Sequence, residues 1–305
     1  MKIRLAAWCA AIALALSAGI AARAASPRDT MLVSAAWLAQ HAKDANLVLL
    51  HVGDKADYDA AHIAGARFVA TRDLSVPPQG TEGLTLEMPP PDVLASKLEA
   101  LGISDNSHVV VYYAKDSVSP ATRIVFTLVY AGLPNVSLLD GGMNAWTRAG
   151  QSVTADVPPL AAGHLSPLKT KSLIVDADFV KSHAAAAGFS VVDSRDTAFY
   201  DGTRPGGPVD HRKAGHIPGA RSVPFTQITN EDLTLKSPAE LAAIFEKAGV
   251  GPHDTVVTYC HIGQQATATL FGALTLGHPV MLYDGSFEDW ARRDLPVDNP
   301  AKKDR

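Results

Sequence analysis

Two stretches of this chain pass through the same landmarks in the same order, and a duplication of that kind restricts the fold to two similar units laid end to end. The first stretch holds the apolar run 47–50, Tyr58, His62-Ile63-Ala64-Gly65-Ala66, Leu101-Gly102-Ile103, the run 109–113, and Asp140-Gly141-Gly142 followed by Trp146. The second holds Val191-Val192-Asp193, Tyr200, His216-Ile217-Pro218-Gly219-Ala220, Ala248-Gly249-Val250, the run 256–259, and Asp284-Gly285-Ser286 followed by Trp290. The spacing between equivalent landmarks drifts from 154 at His62 and His216 to 147 at Tyr112 and Tyr259 and 144 at Trp146 and Trp290. Insertions therefore separate the landmarks, and insertions belong in loops such as the stretch around Pro77, Pro78 and Gly80.

Within each unit, short apolar runs alternate with helical stretches such as 239–248 and 266–277, the last closed by Gly277 as a C-cap. This alternation predicts α/β units, each a mostly parallel sheet flanked by helices. The alanine run 184–187 reads as part of a helix. Residues 29–150 and 171–299 form the two units, and 151–170, with Pro158, Pro159, Gly163 and Pro167, reads as a linker. A hydrophobic content of 47% supplies two cores. A net charge of −4 with scattered Lys and Arg excludes a basic nucleic-acid surface.

There are two cysteines. Cys9 lies inside a basic start (Lys2, Arg4), an apolar run and the Ala22-Arg23-Ala24 motif, so residues 1–24 read as a secretory signal peptide. The chain is expected to be periplasmic or secreted, with no membrane attachment after cleavage. Cys260 is then alone, and an unpaired thiol in an oxidising compartment is a hazard unless it is buried or used. It stands where a strand (256–259) runs into a short loop and a helix. Ligands in such sheets bind beyond the carboxyl ends of the strands. Loop N–H groups and the helix start favour an anion there, so the thiol pKa is expected to be lowered.

Taken together, Gly215-His216-Ile217-Pro218-Gly219-Ala220, Cys260-His261-Ile262-Gly263-Gln264-Gln265-Ala266 and Tyr283-Asp284-Gly285-Ser286-Phe287 with Trp290 resemble the rhodanese family of sulfurtransferases in its tandem-domain form. Ala64 in place of Pro218, and Asp289 where a glutamate is common, depart from the pattern without touching the chemistry. The resemblance implies transfer of a sulfane sulfur. Cys260 would take sulfur from a small anionic donor, hold it as a persulfide and pass it to a thiophilic acceptor, cyanide or a thiol, including a protein thiol. It implies no cofactor and no metal. A persulfide anion requires converging N–H donors, which a tight loop provides, with Gly263 at a positive φ.

Arg195, after the strand bearing Asp193, is a candidate for holding the donor's oxyanion through its fork of N–H groups; alternatively it pairs with Asp193 or Asp196. Asp193 reads as a loop-fixing acceptor. Arg212, or Arg204, lines the mouth or is solvated. His261 reads as charge at the entrance rather than a base, because the residue next to the nucleophile on a tight loop points outward. Gln264 and Gln265 offer amide donors. His216 recurs as His62 in a half without the cysteine, which favours a structural role. That first half has His51 opposite Asp193, Gly53 opposite Arg195, and Tyr113 or Asp116 opposite Cys260, so it is expected to be catalytically silent.

A cysteine phosphatase would need Arg where Ala266 stands, a protease triad has no marked partners, and one cysteine makes no zinc site. His261 leans the donor toward thiosulfate; 3-mercaptopyruvate and a non-enzymatic sulfur carrier remain the alternatives.

Overall fold

The structure, a computed structural model, describes residues 26–303 apart from 81–82, 116 and 158. Residues 1–24, read above as a signal peptide with Cys9, and Asp116 as a counterpart of Cys260, lie outside the described residues. Among the described residues, ten strands form two five-stranded sheets. β1 (Leu32–Val33), β2 (Leu47–Val52), β3 (Arg67–Val69), β4 (His108–Tyr113) and β5 (Asn135–Leu139) pair in the order β1-β5-β4-β2-β3. β6 (Ile174–Val175), β7 (Phe189–Asp193), β8 (Arg221–Ser222), β9 (Thr255–Tyr259) and β10 (Val280–Tyr283) repeat it as β6-β10-β9-β7-β8. Every ladder is parallel. The central strands β4 and β9 are covered by helices on both faces, so they read as unbroken apolar runs rather than alternating ones. The sequence expectation of two α/β units with flanked parallel sheets holds.

Local chemistry fixes the helix ends. Ser237 accepts from Glu240 N while the Glu240 carboxylate accepts from Ser237 N, and Pro238 opens the helix Pro238–Lys247. The helix Ala266–Thr275 ends before Gly277, whose φ of +93° makes it the left-handed terminator that its sequence position suggests. The alanine run departs from expectation. The helix Ala177–His183 stops before it, with Ala184 as the C-cap residue, and the chain turns through Gly188 at φ +81° into β7. Propensity yields there because the return to the sheet must be made within five residues.

The halves are not beads on a string. The helices Ser119–Tyr130 and Ala266–Thr275, which follow the equivalent strands β4 and β9, pack against each other. Val125 and Phe126 join Leu270 and Phe271 in one continuous apolar core drawn from both sheets. At its centre the hydroxyls of Thr122 and Thr267 share a hydrogen bond of 2.9 Å. Each such buried apolar side chain contributes about 1.5–3 kcal/mol, so the seam is a true core. Among the described residues no helix is long and apolar enough to cross a membrane.

Candidate active site

β9 delivers Cys260 to the carboxyl edge of the second sheet, and the chain curls around the sulfur. The backbone N–H groups of Ile262, Gly263, Gln265 and Ala266 donate to it. Those N–H groups point inward because the carbonyls are held outward. Phe287 N donates to Cys260 O (3.0 Å), Glu288 N to His261 O (3.0 Å), and the Thr267 hydroxyl to Gln264 O (2.7 Å). Gly263 adopts φ +79°, and a Cβ there would lie 2.7 Å from Asp284 O. The expected glycine requirement is therefore met twice, by torsion and by space.

One expectation is overturned. Cys260 is fully buried, and burial pushes its thiol pKa up, against four N–H donors that pull it down. Desolvation of the thiolate outweighs the array. The resting thiol is therefore protonated at neutral pH, which also shields a lone cysteine from oxidation. The N–H groups act on states in which the sulfur or its cargo carries charge.

Asp193 is the acceptor the sequence suggests. It takes Arg195 N (2.9 Å), Arg195 Nη2 (2.6 Å) and the Tyr259 hydroxyl (2.8 Å). Arg195 does not reach into an open site. It is fully buried, donates to Gly215 O (2.8 Å) and stacks 3.9 Å over the Phe287 ring. Of the two roles open to it, the structure shows the pairing with Asp193. The reason is electrostatic: a guanidinium taken out of water next to a carboxylate is held by it. Its Nη1 has no partner within the protein.

His261 does not point freely outward either. Its Nδ1–H donates to Asp210 Oδ2 at 2.5 Å, and Phe199 meets its ring edge-on at 4.6 Å. Asp210 is fully buried, and its other oxygen has no partner within the protein. Asp210 was missed from sequence, although a signal existed. Tyr58 and His62 are four residues apart, whereas Tyr200 and His216 are sixteen apart, so the second half alone carries an extra loop here. That loop brings Asp210 under His261. Arg212 lies on it, exposed, at φ +58°. Arg204 stacks on Phe199 (4.6 Å). Gln264 Oε1 accepts from the Thr71 hydroxyl of the first half (3.2 Å), and Gln265 Oε1 is buried without a partner. His216 stacks on Tyr200 (3.7 Å) and bonds its carbonyl, as His62 does with Tyr58; both fix turns.

The first half also enters the site, as the sequence reading of a silent unit that stabilises the second or shapes one wall of its pocket allows, but through residues that reading did not single out. Arg123 Nη1 donates to Gly263 O (3.3 Å) and pairs with Asp284 Oδ1 (2.5 Å), and its Nη2 donates to Leu86 O. Asp284 Oδ2 accepts from Met88 N (2.8 Å), and Glu288 from Thr85 N (2.9 Å). Nearby, a cavity of about 450 Å³ has Glu87, Asp176, Asp284 and Asp289 in its walls, but not Cys260. Burial and the neighbouring Asp284 push the Glu87 carboxyl up to about 7. Among the described residues, no three His, Cys, Asp or Glu side chains gather as a metal-binding group.

Comparison with known proteins agrees with this geometry. The rhodanese-like domain model matches twice, over residues 34–149 and 176–293. A putative thiosulfate sulfurtransferase of Synechococcus elongatus is 31% identical over 91% of this chain and 88% of its own length. The human 3-mercaptopyruvate sulfurtransferase is 30% identical over 88% and 94%. The sulfur carrier protein TtuD of Thermus thermophilus is 32% identical over 85% and 93%. Among solved structures, the anaerobic ergothioneine biosynthesis enzyme of Chlorobium limicola, in complex with trimethyl histidine, superposes with a TM-score of 0.79 at 25% identity, over 89% of this chain and 71% of its own. With two such domains in tandem and a cysteine cradled in the second, the chain belongs to the rhodanese family of sulfurtransferases.

Proposed function

We propose that the protein transfers the outer sulfur of thiosulfate to a thiophilic acceptor through a persulfide on Cys260. In the first step Cys260, a thiol at rest, gives up its proton to solvent, and the resulting thiolate attacks the sulfane sulfur. A new S–S bond forms, the old one breaks, and sulfite leaves with its electron pair. In the second step cyanide or a thiolate attacks the terminal sulfur, and the Cys260 thiolate is released to complete a ping-pong cycle. The observation that carries this reading is the set of four backbone N–H groups directed at one buried sulfur. Such a set suits an anion that persists as an intermediate. A structural relative, EanB, has been captured with a cysteine persulfide, which supports the same chemistry here.

Relatives named for thiosulfate and for 3-mercaptopyruvate match equally well, so the donor rests on His261, a cationic group at the entrance when protonated. The same proposal places the protein outside the cytoplasm after loss of residues 1–24. Purified protein given thiosulfate and cyanide should yield thiocyanate, Cys260→Ser should yield none, and mass spectrometry should find one added sulfur atom on Cys260. Replacing His261 with Gln should weaken the preference for thiosulfate over 3-mercaptopyruvate. Faster turnover of 3-mercaptopyruvate at every pH would replace the donor, a persulfide without turnover would make the protein a carrier, and no persulfide from either donor would end the proposal.

A further inference from the structure

We propose that Arg123, on the first half's helix Ser119–Tyr130, is a positioning residue for the persulfide loop, because its guanidinium holds the Gly263 carbonyl away from the sulfur. This rests on the reading of Cys260 as the sulfur carrier. Of the loop carbonyls that must face outward, those of Cys260 and His261 are held by the helix Ser286–Arg292, and that of Gln264 by Thr267. Gly263 O is the one held from the other half. If it turned inward, two consequences would follow. A carbonyl dipole would face an anionic sulfur, and the adjoining N–H groups would leave it.

The duplication shows what Arg123 replaces. Leu86 and Leu233 are equivalent, both left-handed at φ +62° and +67°, and each belongs to a strap that crosses to the other half. Met88 N donates to Asp284 on one side, and Leu235 N donates to Asp140 (2.7 Å) on the other. On the first half's side, the Tyr113 hydroxyl, from the position equivalent to Cys260, anchors Leu233 O (2.6 Å). A cysteine cannot do that and remain free to react. On the Cys260 side the Leu86 carbonyl is taken instead by Arg123 Nη2, while Nη1 spans Gly263 and Asp284. Arg123 is 2% exposed, so its fork is fixed by partners on three segments. Its counterpart by sequence is Leu270, which has no polar role.

The test uses Arg123→Lys, which keeps the charge and loses the fork, and the double variant R123M/D284N, which removes both charges and so avoids a stranded carboxylate. Tyr113→Phe is the control, since it removes the mirror-image contact between the halves. Cys260 persulfidation by thiosulfate is followed in a single turnover, together with alkylation of the thiol across pH and the melting temperature. Both Arg123 variants are expected to persulfidate roughly 10- to 100-fold more slowly, less than the roughly 100- to 1000-fold for outright removal of an organised donor because the N–H groups are misdirected rather than lost, with the alkylation midpoint moved to higher pH. Tyr113→Phe should lower the melting temperature alone. Folded Arg123 variants with wild-type persulfidation and alkylation would overturn the proposal, as would Tyr113→Phe producing the same slowing. Absence of a persulfide on the wild-type protein would instead overturn the sulfur-carrier reading itself.

Discussion

The two halves share a scaffold, and the differences between them concentrate at three equivalent points. Cys260, Ser286 and the Asp193–Arg195 pair in the second half stand where the first has Tyr113, Gly142 and His51 with Gly53. The substitutions are coupled. Gly142 and Ser286 share a left-handed φ, +52° and +53°, but a Cβ on Gly142 would lie 2.5 Å from the Tyr113 carbonyl oxygen and 2.8 Å from its ring. The Tyr113 backbone and ring together leave room only for glycine, whereas beside Cys260 stands Ser286, whose hydroxyl accepts Cys260 N (3.2 Å). Beneath, Tyr259 donates to a buried carboxylate that holds a guanidinium, while Tyr112 bonds a neutral His51 (2.9 Å). The same strand ends carry an ionic support in one half and a neutral one in the other. The strand end that carries the cysteine therefore differs from its counterpart by a plug, the glycine that admits it, and the charge state of the support.

The most direct way to break this comparison is to move the nucleophile. In a Cys260→Ser background, Tyr113→Cys is expected to give no thiocyanate, because His51 and Gly53 stand where the ionic support of Asp193 and Arg195 would be needed. Measurable turnover would mean that the scaffold alone suffices. Next in size is the support itself. Asp193→Asn leaves Arg195 buried and unpaired and should cost about 3–5 kcal/mol in urea unfolding at neutral pH, whereas His51→Gln should cost much less. Equal losses would sink the distinction between ionic and neutral supports.

The smallest effect sharpens the contrast by pH. Burial lowers the His51 pKa to about 4 from the usual 6.5. The folded state favours the neutral ring, so the stability it confers is present above about pH 6.5 and is lost as the pH falls through about 4, on the order of 2–3 kcal/mol. His51→Gln should flatten the acid limb of melting temperature against pH; an unchanged limb would show that His51 does not govern it.

Much of this was legible in the sequence, and the boundary of legibility is physical. The Cys260 loop, the positive φ of Gly263, the acceptor role of Asp193 and the structural role of His216 follow from local rules, since each depends on residues a few positions away or on the repeat. Asp210, Arg123, Asp284 and Glu288 escaped because their partners lie 51 to 203 residues away and are met only through packing between segments. The direction of the Cys260 shift escaped for a related reason. N–H donors can be counted along a loop, but the water excluded by the opposite half cannot.

The common apolar core between the helices Ser119–Tyr130 and Ala266–Thr275 has a consequence for how the duplication endures. A copy without the cysteine would ordinarily be free to decay, yet this one supplies half of a surface that the other cannot leave wet, and an arginine that reaches the sulfur's own loop. Cohesion rather than chemistry keeps that copy in place: the two sheets close one apolar core between them, like the subunits of a dimer written on a single chain.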